Sequence, residues 1–320
     1  MLKRLLVGLA TLVLVAGGAA FYLLYALKPP PSSRPAETVV LTVQGRQRQY
    51  LLSAPESLRP GASILLVLHP SARHAADMWQ LLGSTLERIT RDDNTLLVYP
   101  DGFEGHFNDC RRAADYSART LNIDDVGFMR GIVAQLVTQQ HADPGKVYAL
   151  GYSNGGHMAL RLALQTPDLV RGVIVVAANL PTVENLECPL ADLPARSIVL
   201  IEGTADPINP YNGGPVTLYG FGSRGNVRPA RAGAEWFAQT LGLASSKSKL
   251  LAEAGHMAAY NDDWTGGDGR LRLVTIESGG HTVPQKAYRF PRILGKTFPS
   301  DAVLETSWRF VRGEPEDRAQ

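Results

Sequence analysis

Six short apolar runs set the terms on which this chain can fold. They are Ile64-Leu65-Leu66-Val67-Leu68, Thr95-Leu96-Leu97-Val98-Tyr99, Val147-Tyr148-Ala149-Leu150, Val173-Ile174-Val175-Val176, Ile198-Val199-Leu200-Ile201 and Leu271-Arg272-Leu273-Val274-Thr275-Ile276. Runs this short, mostly β-branched or leucine and without polar alternation, predict strands buried on both faces of a parallel sheet. Helical stretches lie between them. Asp124–Gln140 puts Val126, Met129, Ile132, Val133 and Leu136 on one stripe, with acidic residues in its first turn. Gly155–Gln165 and Ala230–Leu241 are further helices, and Ser300-Asp301 can cap a last one through Phe310. Val39–Val43 and Gln49–Leu52 flank Gly45 and read as an edge hairpin. Strand–helix alternation on this scale predicts a doubly wound, mostly parallel α/β sheet, and no internal repeat interrupts it.

The first 28 residues break this pattern. Lys3-Arg4 precedes Leu5–Leu27, which carries no charge. As a helix those residues extend roughly 34 Å, enough to cross the hydrocarbon core of a bilayer. Two readings follow. In one, residues 5–27 are an uncleaved anchor that meets the membrane and leaves the body outside the cytoplasm. In the other, Leu5–Ala16 is the core of a signal peptide cut near Ala16–Ala20. Both export the body to a periplasmic or extracellular location. Residues 29–38 form a stiff Pro/Ser-rich tether, residues 39–311 a single catalytic domain, and residues 312–320 a polar tail. Export permits a disulfide between Cys110 and Cys188, the only two cysteines, although two buried thiols remain the alternative. The 32 basic and 30 acidic residues give a net charge of +2, and without Lys3, Arg4 and Lys28 the remainder is 29 against 30. Such a balance offers no case for nucleic-acid binding.

The segment that carries chemistry is Gly151-Tyr152-Ser153-Asn154-Gly155, preceded by an apolar strand and followed by a helix. A nucleophilic serine at this turn is lifted above the carboxyl edge of the sheet, and the glycines let the backbone fold that sharply. The Asn154 N–H, opening the helix, can bind an oxyanion. The partners should follow as acid, then histidine. Asp206 comes directly off the Ile198–Ile201 strand and His281 directly off Leu271–Ile276. His281 would take the Ser153 proton and Asp206 would orient the imidazolium. Glu202, the nearest rival acid, lies within its strand. The second oxyanion donor belongs in Leu68-His69-Pro70-Ser71-Ala72. Pro70 has no N–H, so Ser71 is the candidate.

With those residues in place, the sequence resembles the polyhydroxybutyrate-depolymerase and feruloyl-esterase group of α/β-hydrolases over roughly residues 48–311. The resemblance rests on Leu68-His69, Ala75-Ala76-Asp77-Met78, Tyr99-Pro100-Asp101-Gly102, Asn108-Asp109-Cys110-Arg111, Asp124-Asp125-Val126-Gly127-Phe128, Gly151–Gly156, Gly203-Thr204-Ala205-Asp206-Pro207-Ile208 and Gly279-Gly280-His281-Thr282. It implies an α/β-hydrolase fold and a serine carboxylic-ester hydrolase whose nucleophile, acid and base map onto Ser153, Asp206 and His281. The substrate implied is a small acyl ester or a soluble polyester oligomer. The sequence departs from the group at Pro70, where its members usually carry glycine.

Other signals are discounted. Gly220-Phe221-Gly222-Ser223-Arg224-Gly225 matches G-x-G-x-x-G, but it comes late and lacks an acid about 20 residues on, so it reads as a loop beside the site rather than a nucleotide cradle. His69 and His74 lack the companions of a metal site, and His69 is read as a brace for the oxyanion loop. His157 is read as structural. No metal or cofactor is expected. Tyr152 and Trp264 are candidate substrate contacts, Trp264 through a polar loop at Asn261–Gly269. The same residues also admit a peptidase, an acyltransferase, or a non-catalytic hydrolase-fold binding protein.

Overall fold

The computed structural model describes residues 2–27, 30–189, 197–245, 247–267 and 269–315, with side chains from Leu12 onward. The edge hairpin is β1 (Glu37–Val43) and β2 (Arg46–Ser53), turning at Gln44 and Gly45. The six apolar runs become β3 (Ser63–Leu68), β4 (Thr95–Pro100), β5 (Val147–Tyr152), β6 (Gly172–Val176), β7 (Ser197–Gly203) and the last strand, Gly269–Ile276. Between β7 and that last strand lie two longer strands that sequence reading missed, β8 (Lys249–Ala254) and β9 (Met257–Gly266), beside three of two residues each; the last long strand is therefore numbered β10. Strands β4, β3, β5, β6, β7 and β10 run parallel side by side in that order. Antiparallel strands extend both edges, β2 and β1 beyond β4, and β9 with β8 beyond β10.

Helices cover both faces, and β3 shows why its run is wholly apolar. Ile64, Leu66 and Leu68 face one core, while Leu65 and Val67 face the other. The first core is closed by the three helices α3 (Asp125–Gln140), α4 (Asn154–Gln165) and α5 (Ala230–Leu241), through Phe128, Ile132, Met158, Leu162 and Phe237. The second is closed by α2 (Ala75–Ile89) and α6 (Ala302–Arg312), through Met78, Leu82, Leu86, Val303 and Trp308. Asp124 caps α3 by accepting the Gly127 N–H at 2.7 Å. Helix α2 also escaped the sequence reading. Its Met78, Leu82 and Leu86 repeat at four-residue spacing, and the Asp77 carboxylate returns to the His74 N–H at 2.9 Å.

The N-terminal helix α1 spans Leu2–Leu24 and stops short of the expected Leu27. Leu27 instead exchanges two backbone hydrogen bonds with Arg289, at 3.0 and 3.2 Å. Among the described residues no helix is long and apolar enough to cross a membrane. The side chains of residues 5–11, part of the expected span, lie outside the described residues, as do residues 1, 28, 29 and 316–320. The tether does not hang free where it is described. The Glu87 carboxylate accepts the Ser33 N–H at 2.9 Å and the Ser33 hydroxyl at 3.0 Å, and pairs with Arg34.

Residues 261–266 of the expected polar loop at Asn261–Gly269 are instead strand, and this corrects the reading of Trp264. Trp264 pairs with Leu271 across the β9–β10 ladder and is 4% exposed, in the core under α5. It does not reach the cavity described below. Its acidic neighbours misled the reading: Asp263 is tolerated inside the sheet because Arg272 meets it with two hydrogen bonds of 2.7 and 2.8 Å.

Candidate active site

Ser153 sits between β5 and α4 with φ 56° and ψ −115°, a conformation that costs a non-glycine residue about 1–3 kcal/mol. The turn is held by the Ser153 N–H, which donates to Val176 O at 2.9 Å. The flanking glycines are there for contact. A Cβ on Gly151 would stand 2.0 Å from Gly155 O, and one on Gly155 would stand 2.2 Å from Leu68 O. Strand β5 and helix α4 approach too closely there for any other side chain.

His281 follows β10 and Asp206 follows β7, neighbouring parallel strands whose carboxyl ends meet beside the turn. The structure brings the three together. Ser153 Oγ lies 2.9 Å from His281 Nε2, and His281 Nδ1 lies 2.7 Å from Asp206 Oδ2. The carboxylate can only accept, so Nδ1 carries the proton and Nε2 is left to accept from the serine hydroxyl. The other Asp206 oxygen accepts the N–H groups of Ile208 and Asn209, both at 2.8 Å. Tyr152 donates its hydroxyl to His281 O at 2.7 Å, so the expected substrate contact spends its polar group on holding the histidine backbone. Glu202 lies beside Asp206, not elsewhere as its strand position suggests. Burial, and then the Asp206 charge, raise its pKa well above the usual range and keep it neutral. Its oxygens take Ala178 N–H at 3.1 Å and Asn209 Nδ2 at 3.3 Å.

Among the described residues neither expected oxyanion donor has a hydrogen-bond acceptor. Asn154 opens α4, where the N–H has no intrahelical acceptor. The Ser71 N–H makes no hydrogen bond among the described residues, and Ser71 lines the same cavity as Ser153. His69 braces the loop that carries Pro70. The fully buried His69 ring accepts the Gly102 N–H on Nε2 at 2.8 Å and donates from Nδ1 to Pro70 O at 2.9 Å. Burial lowers its pKa to about 4, so the ring stays neutral. Asp101 is occupied structurally, taking His74 Nδ1 at 3.1 Å and Ala75 N–H at 3.2 Å.

A buried polar cluster under the turn was not read from the sequence. The Asn154 side chain donates to Phe107 O at 3.0 Å and to Asp109 Oδ2 at 2.6 Å, and accepts the Phe107 N–H at 2.8 Å. Asp109 also receives the Tyr116 hydroxyl at 2.6 Å and the Arg111 guanidinium at 2.5 Å. Burial pushes the Asp109 carboxyl up, but Arg111 beside it outweighs that and holds it well below the usual carboxylate range. Cys110, between them, is bridged to Cys188 with Cα atoms 5.1 Å apart. His157, one turn beyond Ser153, is fully buried and neutral, its pKa lowered by burial first and by Arg111 second.

Ser153 and His281 open onto a cavity of about 740 Å³. Its wall includes Ala26, Pro31 and Ser32 from the N-terminal segment, Arg224 from the glycine-rich loop and Leu218 just before that loop. That loop is therefore beside the site, as the sequence suggested. Among the described residues no group of three or more acidic, histidine or cysteine side chains could hold a metal ion.

Comparison with known proteins agrees with this topology. The family described as the alpha/beta hydrolase fold matches residues 108–200, which contain the Ser153 turn. A protein named as an esterase, NocK of Nocardia uniformis subsp. tsuyamanensis, is 29% identical over 304 residues, covering 89% of this chain and 86% of its own. Feruloyl esterase B of Piromyces equi is 26% identical over 69% of this chain and 39% of its own length. An acetyl xylan esterase from Aspergillus awamori superposes with a TM-score of 0.53 at 15% identity, over 78% of this chain and 95% of that one. Parallel sheet, strand–turn–helix and relatives converge: the chain has the α/β-hydrolase fold and is similar to proteins named as esterases.

Proposed function

We propose that the chain is an exported serine carboxylic-ester hydrolase acting through Ser153, His281 and Asp206. The observation that carries this reading is the continuous relay from Ser153 Oγ through His281 to Asp206, at 2.9 and 2.7 Å, beside two free N–H groups. The Ser153 oxygen attacks the ester carbonyl carbon while His281 Nε2 takes its proton. The developing oxyanion is met by the N–H groups of Ser71 and Asn154, each worth about 3 kcal/mol in such sites. Collapse breaks the C–O bond, and His281 returns the proton to the departing alcohol. Water then attacks the acyl-serine with His281 as base, releasing the acid and restoring the serine.

The cavity favours a soluble ester of modest size, such as a short acyl or aryl ester or a soluble polyester oligomer. Export is supported by the uncharged stretch Leu5–Leu27 behind Lys3-Arg4 and fits the Cys110–Cys188 bridge. The test is hydrolysis of p-nitrophenyl butyrate together with labelling by a fluorophosphonate. The wild-type chain should turn over the ester and take the label on Ser153. Ser153→Ala should do neither while remaining folded. Turnover retained in Ser153→Ala, or a folded wild type that neither reacts nor labels, sinks the reading.

A further inference from the structure

We propose that Arg111 and Arg224 form an anion subsite in the Ser153 cavity, so that the preferred substrate is an ester bearing a free carboxylate. This rests on the esterase reading and names the substrate class of the same site. The cavity wall carries three guanidinium groups, from Arg73, Arg111 and Arg224, against a single carboxylate, Asp77. Asp77 is already engaged, accepting the His74 N–H at 2.9 Å. Neither Arg73 nor Arg224 has a carboxylate within ion-pair distance among the described residues.

Arg111 is the buried member. It is 2% exposed, and its Nε and Nη2 are spent on Asp109 and the Tyr116 hydroxyl. Its Nη1 makes no hydrogen bond among the described residues, although the residue lines the cavity. That nitrogen is left to donate into the cavity, to water or to a ligand oxygen. Arg224 reaches the same corner from the other side, its Cζ 6.0 Å from the Tyr116 ring centre. Its Nη1 meets only the carbonyl of Gly222, in its own loop, at 2.6 Å.

The two arginines stand 113 positions apart in sequence, and one residue holds both segments. Asn185 O accepts the Arg112 N–H at 2.8 Å and Asn185 Oδ1 accepts the Ala113 N–H at 3.1 Å. Its Nδ2 donates to Arg224 O at 2.9 Å and Asn226 O at 3.1 Å. The Cys110–Cys188 bridge and the Glu187 N–H to Cys110 O bond of 3.0 Å clamp the same strip. The two arginines are thus fixed near one another in the Ser153 cavity, Arg111 with its Nη1 free although its charge is met by Asp109, and Arg224 with no carboxylate partner among the described residues. Such preorganisation suits a carboxylate, whose two oxygens match guanidinium forks.

The test compares kcat/KM for matched neutral and anionic esters. Mono-p-nitrophenyl succinate against p-nitrophenyl butyrate places the charge on the acyl side. 3-Carboxyphenyl butyrate against phenyl butyrate places it on the alcohol side. At low salt one anionic ester should lead its neutral partner by about tenfold or more, and the lead should shrink as salt rises. Arg224→Gln should cut that ratio by about tenfold, and Arg224→Lys should restore part of it. Arg111 is left intact, since its removal takes from the buried Asp109 carboxylate its ion-pair partner. Calorimetric titration of Ser153→Ala with the same esters reads the subsite without turnover, and there too the anionic ester should bind more tightly. Ratios near one in both wild-type comparisons, or a ratio that Arg224→Gln does not change, overturn the subsite. If the folded wild type hydrolyses none of the esters, the esterase reading falls, and the titration alone then decides whether the subsite exists.

Discussion

Replacing Ser153 by glycine and by alanine should separate the chemistry of that position from its backbone. Both variants lose Oγ, and with it the 2.9 Å contact to His281. Both should lose esterase turnover by about a thousandfold or more. Their stabilities should differ. At φ 56° and ψ −115° alanine keeps the Cβ that makes the conformation unfavourable, and glycine removes it. Relief of about 1–3 kcal/mol is offset by about 0.5–1 kcal/mol, because glycine gains freedom in the unfolded chain. Ser153→Gly should therefore be more stable than Ser153→Ala by about 0.5–2 kcal/mol. For a body of about 275 residues that is a melting temperature higher by about 1–4 °C. Differential scanning calorimetry of the two inactive proteins measures this directly. A glycine variant that melts below the alanine variant refutes the claim that the turn stores strain.

Three further outcomes can be checked. Gly155→Ala puts a Cβ 2.2 Å from Leu68 O, so the variant should lose about 3 kcal/mol or more of stability and most of its turnover; urea denaturation reads the first and p-nitrophenyl butyrate the second. Replacing Cys110 and Cys188 together by serine opens a loop closed across 78 positions and should cost about 4.5 kcal/mol on the chain-entropy account, a loss below 1 kcal/mol telling against that bridge as a stabiliser. His69 has a folded pKa of about 4 against an ordinary 6.5, so protons bind the unfolded chain first as pH falls. The stability it contributes is whole above pH 6.5 and declines by about 3 kcal/mol towards pH 4, and His69→Gln should flatten that part of the pH–stability curve.

Parallel strands announced themselves because each is buried on both sides, which forces an unbroken apolar run, as β3 and β6 show. The positions of Ser153, Asp206 and His281 were legible for a related reason: each lies just beyond the carboxyl end of such a strand. Strands β8 and β9 were not legible. Lys249–Ala254 is only half-buried, and β9 carries Asp262 and Asp263, whose charges are answered by Arg231 and Arg272 from elsewhere in the fold. A sequence window sees the acids and not their partners, so Trp264 was assigned to a loop. The cluster of Asp109, Arg111, Tyr116 and Asn154 was hidden similarly. Its members are spread over 46 residues and become one network only when the loop before α3 folds under α4. The adjacency of Asp109 and Arg111 in the sequence was the only local sign of it.

The segment after α1 gives the site a fixed address. Leu27 is paired to Arg289, Ser33 and Arg34 are held by Glu87, and Pro31 and Ser32 stand in the cavity wall between those two fastenings, with Ala26 just before the first. A leash lets an enzyme sweep a volume; a strap buckled at both ends does not. The chain directly after α1 is thus tied to the body as part of the cavity wall. Trimming the chain beyond Ser32 would remove part of the chamber's own wall along with the helix.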